Sequence, residues 1–223
     1  MFLHFLKFLF ISLSSFPIQN AAVPAYITEC ICSPCLFGLF RPAIYLPPQA
    51  LGEDGAPNRY ELLHDRTDIR AVRPITAKEY HVGGSTALLD AVGKTIHKIA
   101  TAQKNTAEPF RAGKVMFVII TDGEENASRE YSAVEVKEAI QRQKSRYGWE
   151  FIFLGANMDA VETAGRFGID AGRAANYVPD SQGTALNFRA MSETVSAFRA
   201  CGAVPDACLD AIRRDMKKRG GRG

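Results

Sequence analysis

Val115-Met116-Phe117-Val118-Ile119-Ile120-Thr121-Asp122-Gly123 decides how this chain is read. An unbroken apolar run, mostly β-branched or aromatic, passes straight into a turn signal. With no polar residue at alternate positions, it predicts a strand buried on both faces. Strands of that kind belong to parallel sheets covered by helices. Ligands of such sheets bind beyond the carboxyl ends of the strands. Asp122 falls at such an end, where a carboxylate either forms a turn or serves as a ligand group.

The choice between the two depends on Gly83-Gly84-Ser85-Thr86, upstream. Two glycines make a loop, and Ser85 or Thr86 is the expected helix cap. The helix follows at once over about Thr86 to Ala100, with Leu88, Leu89, Val92, Ile96 and Ile99 at three- and four-residue spacing. A hydroxyl at a helix start and a carboxylate at a neighbouring strand end are both oxygen ligands. Together they suit magnesium, manganese or calcium.

The remainder of the chain from Arg59 is regular. Tyr60 to Leu63 is a short extended piece. Ser132-Ala133-Val134-Glu135 is a capping box, opening a helix with Val136, Ile140 and Tyr147 on one face and Gly148 as its stop. Glu150 to Leu154 is a strand, Asp159 to Phe167 a short helix ended by Gly168, and Ala174 to Val178 a weaker strand. Thr184 to Ala200 is a helix with Phe188, Met191, Val195 and Phe198 inward. Strands alternating with helices predict an α/β fold, an open and mainly parallel sheet with helices on both faces.

The order of these segments resembles the von Willebrand factor A family, in particular a bacterial subgroup. Gly83-Gly84-Ser85-Thr86-Ala87-Leu88-Leu89-Asp90-Ala91 is similar to the second metal loop of the family, and Thr121-Asp122-Gly123-Glu124-Glu125-Asn126-Ala127-Ser128-Arg129-Glu130 to the third. Tyr60 to Asp65, Phe151 to Asn157 and Asp159 to Ile169 agree as well, so the resemblance runs from about Arg59 to Arg199. It implies a Rossmann-like domain with a metal-ion-dependent adhesion site. That site holds a divalent cation through three loops, and an acidic group of a partner protein completes the coordination. Thr86 matches the threonine of the second loop and Asp122 the aspartate of the third.

The first loop of the family, Asp-x-Ser-x-Ser after the first strand, is missing. A disguised copy at Ile11-Ser12-Leu13-Ser14-Ser15-Phe16 has Ser12 for the aspartate and Phe16 for a serine, and only Ser14 in agreement. The loss removes a carboxylate and at least one hydroxyl. Affinity for hard cations follows ligand charge and count. Thr86 and Asp122 are therefore expected to bind Mg2+ or Mn2+ weakly, if at all. The first strands are read as absent or substituted, with the apolar Phe5 to Leu13 as the segment able to fill the gap beside Val115 to Ile120.

Residues 1–58 read as an irregular segment, signal-like or a non-native start. Phe2 to Phe16 is apolar but too short for a membrane-spanning helix of about 20 residues. Lys7 is a thin basic region, and Ala21, Ala22 and Ala25 are candidate cleavage positions. Pro34, Pro42, Pro47, Pro48 and Pro57 follow without periodicity. Cys30-x-Cys32-x-x-Cys35 lacks the pair spacing and the nearby His of a zinc site and reads as incidental. Five cysteines exclude a fully paired disulfide framework. The expected compartment is the cytoplasm, with secretion or membrane association through the apolar N-terminus as the alternative. Charged residues at 23% and a net charge of +3 give no argument for nucleic acid. The basic end from residue 201, with Arg213, Arg214, Lys217, Lys218, Arg219 and Arg222, reads as a solvated tail.

Enzyme signatures fail on geometry. Ser85 sits in a near match to a nucleophile elbow, but the only later histidine, His97, lies on the helix that the elbow opens. It is roughly 18 Å from Ser85 at 1.5 Å per residue. Gly93-Lys94-Thr95 ends like a phosphate loop without its first glycine. No Gly-x-Gly-x-x-Gly follows a strand. The expectation is a domain at 59–200 that binds a protein partner offering an acidic side chain, with a degenerate metal site and no catalysis. The alternatives are a magnesium-dependent phosphotransfer or hydrolase enzyme using Asp122 and Glu124, and an inactive fragment. Glu124, Glu125 and Asn126 read as a solvated loop beside the site.

Overall fold

The apolar run forms the strand Lys114–Thr121, and every residue of it after Lys114 is buried. The structure, a computed structural model, describes residues 7–14, 39–49, 59–65 and 86–219, the segments up to His64 through their backbone placement. The strands are β1 (Lys7–Ser14), β2 (Leu39–Gln49), β3 (Arg59–His64), β4 (Lys114–Thr121), β5 (Glu150–Gly155) and β6 (Ala174–Asn176). The helices are α1 (Leu88–Asn105), α2 (Ala133–Tyr147), α3 (Ala160–Arg166), α4 (Ser181–Cys201) and α5 (Asp210–Arg219).

These strands form one sheet in the order β3-β2-β1-β4-β5-β6. β4, β5 and β6 are parallel. β1 is antiparallel to both β2 and β4, and β3 to β2. The fold is α/β, as expected. Its parallel character is confined to β4–β6, so "mainly parallel" holds for half of the sheet.

Alternation along β4 divides the core in two. Val115, Phe117 and Ile119 pack with Phe151, Phe153 and the buried faces of α1, α2 and α3. Met116, Val118 and Ile120 pack with Ile152, Leu154 and the faces of α4 and α5. Phe117 stacks on Phe151 at 5.4 Å between ring centroids, and Phe153 meets Phe167 edge-on. Burying one such side chain stabilises by roughly 1.5–3 kcal/mol. Helices therefore cover both faces of the parallel half. The Ser132–Glu135 capping box forms in both directions, and Gly148 closes α2 at φ 64°. Tyr147 is the exception to the inward stripe predicted there. It is 57% exposed, with the Arg146 guanidinium over its ring.

The N-terminal reading is corrected. Lys7–Ser14 is not irregular: it pairs beside β4, the place that the apolar Phe5 to Leu13 was expected to fill, in the register Leu9↔Val118 and Ile11↔Met116. Its β-branched and aromatic content suits a strand with neighbours on both sides. β2 accommodates three of the prolines read as breakers. The β2–β3 register slips between Leu46 and Gln49, where Pro47 and Pro48 offer no N–H. The cysteine cluster and the candidate cleavage positions lie outside the described residues.

The C-terminal reading is corrected as well. Through Arg219 the end is a helix, with Leu209 and Ile212 in the core. Arg213 donates to the carbonyls of Ala171, Gly172 and Ala174, which caps the outer side of β6. Arg219 pairs with Asp215 and Asp180. An edge strand of three residues is held by side chains that composition alone suggested were solvated.

Candidate functional site at the carboxyl edge of the sheet

Thr121 ends β4 fully buried, its hydroxyl donating to the Gly123 carbonyl at 2.8 Å. That turn places Asp122, 4% exposed, at the carboxyl end of the strand. Thr86 stands directly before α1. Its Oγ1 lies 3.2 Å from the point where a Cβ on Gly123 would sit, so only a glycine lets the two loops meet without displacement. The structure thus brings together the two loops singled out from sequence. Asn157 joins them from the end of β5, in a left-handed conformation at φ 58°. Its amide donates to the Asp122 carbonyl at 3.2 Å. Left-handed backbone is the conformation that asparagine tolerates better than most residues.

A dense set of bonds ties the loop after Asp122 to the start of α1. The backbones and side chain of Thr86 and Asn126 bond reciprocally, Thr86 N–H to Asn126 Oδ1 at 2.8 Å and Asn126 N–H to the Thr86 carbonyl at 3.0 Å. Glu125 Oε2 accepts from the Leu89 N–H and the Ser128 hydroxyl, and its Oε1 from the N–H groups of Ala127 and Ser128. Asp90, 6% exposed, accepts three successive backbone N–H groups, those of Arg129, Glu130 and Tyr131, at 2.8–2.9 Å. The Tyr131 ring lies against Gly93, where a Cβ would come within 2.3 Å of it. That contact accounts for the glycine that looked like part of a phosphate loop, and Thr95 bonds back to Ala91 within the helix.

Two expectations change here. Ala87, not Thr86, is the N-cap of α1, and its side chain makes no capping bond. Glu125 supplies the missing acceptor from the facing loop, satisfying a helix-start N–H that would otherwise lack a partner. Glu125 is consequently a bonded, half-buried loop residue rather than a solvated one, whereas Asn126 is exposed and bonded to Thr86. Glu124 is exposed, as expected. Ser85 lies outside the described residues.

The disguised first loop is at the wrong end. Antiparallel pairing sets Lys7 opposite Ile120 and Ser12 opposite Val115. Ser12 and Ser14 are therefore near the start of β4, roughly 20 Å or more from Asp122 at about 3.3 Å per residue. They add no ligand to the Thr86–Asp122 site. Among the described residues no three His, Cys, Asp or Glu side chains converge as metal ligands. One hydroxyl and one carboxylate fall well short of the six or more oxygens that a hard cation takes. The donors described do not fit a built cation site.

Sequence reasoning missed Asp90 and Asn157 as members of this edge. The available signals were an acidic residue in the first turn of a helix and an asparagine directly after a strand. No family model, no curated protein and no solved structure matches the chain. Among the described residues, no helix is long and apolar enough to cross a membrane.

Proposed function

We propose that this chain is a von Willebrand factor A-like protein-interaction domain that docks a partner at the carboxyl edge of β4 and β5, through a degenerate adhesion site. The observation that carries the reading is the meeting of Thr86 with Gly123 beside Asp122. Exposed Glu124, Asn126 and Asn157 surround it at the strand ends, the place where parallel α/β sheets bind ligands. An acidic side chain of the partner finds hydroxyl and amide donors there, and Mg2+ or Mn2+ contributes weakly or not at all. The enzyme alternative needs Asp122 and Glu124 to act on one substrate. Asp122 is buried and Glu124 is solvent-exposed, which favours a docking crest over a shared catalytic pocket.

The test uses the full chain. A photo-cross-linker at Asn157 is expected to capture one protein from the source cells. The same probe at Phe110, before the start of β4, is expected to capture none. Equal capture from both positions would overturn the docking reading. Isothermal titration with MgCl2 and MnCl2 is expected to give weak heats that Asp122→Ala barely changes. Tight binding abolished by that substitution would restore a working metal site.

A further inference from the structure

A docking surface made of two loops needs something to keep them in register. Here the α1 start and the loop 122–131 are joined by carboxylates bonded to backbone. Asp90 reaches across from the first turn of α1 to three consecutive N–H groups of the opposite loop. Glu125 reaches back from that loop to the Leu89 N–H of α1. Ser128 links the two, because its hydroxyl accepts from the Asp90 N–H and donates to Glu125. The traffic runs in both directions, so neither element can shift along the other without breaking several bonds. Bonds from N–H groups to an ionised carboxylate are roughly twice as strong as neutral ones. In Asp90 they are also shielded from solvent, at 6% exposure.

We propose that Asp90 and Glu125 form a carboxylate brace that holds Thr86 and Asp122 in their relative positions without a cation. In this chain, charge-assisted bonds to backbone take over the task of fastening the second loop to the third. The docking surface is then preorganised in the absence of metal, and its partner is bound by direct hydrogen bonds rather than through a shared ion. Asp90 is a positioning residue: it supports Thr86 and Asp122 through the backbone and is itself covered. This inference rests on the docking reading for its function, but the brace has its own test.

The experiment is hydrogen–deuterium exchange on the full chain, in EDTA and in millimolar MgCl2. The amides of Leu89, Arg129, Glu130 and Tyr131 are expected to be equally protected in both. Asp90→Asn leaves one oxygen and sets an amide N–H against a backbone donor. It is expected to speed exchange over 86–90 and 123–131 by at least about tenfold, with β4 and β5 unchanged. Glu125→Gln, at a less buried position, is expected to give a smaller change over the same amides and guards against misfolding of the first variant. Protection that appears only with Mg2+ would overturn the brace. So would exchange left unchanged by both variants, or accelerated evenly across β4, β5 and the loop. Failure of the brace leaves the Asn157 cross-linking result standing, and failure of the cross-linking leaves the brace.

Discussion

The β4–β6 half of the sheet is parallel and roofed on both faces by helices, whereas the β1–β3 half is antiparallel and joins it through the single β1–β4 ladder. Asp65, directly after β3, adds a 2.8 Å ion pair to Lys98 on α1. Both of its partners are more than a third exposed, so the pair contributes little. The two halves are joined by the backbone bonds between β1 and β4, and α1 also lies against β2. A strand in the interior of a sheet that loses its neighbour exposes a row of N–H and C=O groups. In this fold the exposed strand would be β4, the most completely buried element of the parallel half.

The largest effect should come from separating the halves. Deleting residues 1–58 removes β1 and β2 and leaves β3 with no strand to pair to. Total domain stability is only about 5–15 kcal/mol, and the cut removes three ladders, β1–β2, β1–β4 and β2–β3. The truncated chain is expected to aggregate and to lose its cooperative thermal transition, measured by size-exclusion chromatography and calorimetry. If it remains monomeric with an unchanged midpoint, the parallel half is an independent unit and the contrast between the halves is one of origin rather than of stability.

Legibility followed the same division. The parallel half was readable because its signals are local. Val115 to Ile120 is one apolar run, Ser132 and Glu135 sit at capping-box spacing, and Gly148 marks a stop within a few residues. The antiparallel half was legible only in part: the apolar Phe5 to Leu13 and the extended Tyr60 to Leu63 match β1 and β3, but β2 lies about 25 residues beyond β1 and pairing over such separations leaves no periodic trace. Pro42, Pro47 and Pro48 pointed away from a strand, and only the register slip at 46–49 shows how two of them are tolerated. In the site, Thr86 and Asp122 were found because they lie in motifs. Asp90 was passed over because a carboxylate in the first turn of a helix ordinarily faces solvent, and its true partners are 39–41 residues away. The C-terminal helix was misread for a related reason. Arg213 and Arg219 look solvated by composition, yet their acceptors are carbonyls and carboxylates brought together only by the fold.

A smaller effect, of opposite sign, tests how far the parallel half is optimised. Asn187 on α4 is 1% exposed, and among the described residues neither atom of its amide has a hydrogen-bond partner. Leaving a buried polar group unsatisfied costs about 1–3 kcal/mol. Asn187→Leu keeps the branching of the side chain and removes the polar atoms. It is expected to raise stability by roughly 1–3 kcal/mol and the melting temperature by several degrees. A lower melting temperature would mean that the packing around position 187 has no room for the added methyl groups. The contrast would then rest on a parallel half already filled to its limit.

The smallest effect concerns the outer end of the parallel half, where α5 is fastened to α4. Asp180 caps α4 by accepting the Gly183 N–H at 2.7 Å, and Arg219 pairs with its other oxygen. The Gly183 bond first, and then Arg219, hold the Asp180 carboxyl below the usual carboxylate range. Arg219 does the same for Asp215. A carboxyl lowered in the folded state stabilises the fold above its unfolded value, about pH 4, and that contribution fades as pH falls through the lower folded value. Asp180→Asn keeps a competent cap, because asparagine serves as well as aspartate at that position. It removes the charge that Arg219 holds. The variant should therefore melt slightly below the parent at pH 7, and the gap should close below about pH 4, where the parent carboxyl becomes protonated. The Asp180 side chain is 46% exposed, so solvent screening keeps the gap small. A gap that persists undiminished to pH 2.5 would show that the loss comes from the cap rather than from the ion pair. In that case the Arg219–Asp180 pair adds little, and α5 is held to the parallel half through Arg213 and Ile212, with Leu209 buried just before the helix.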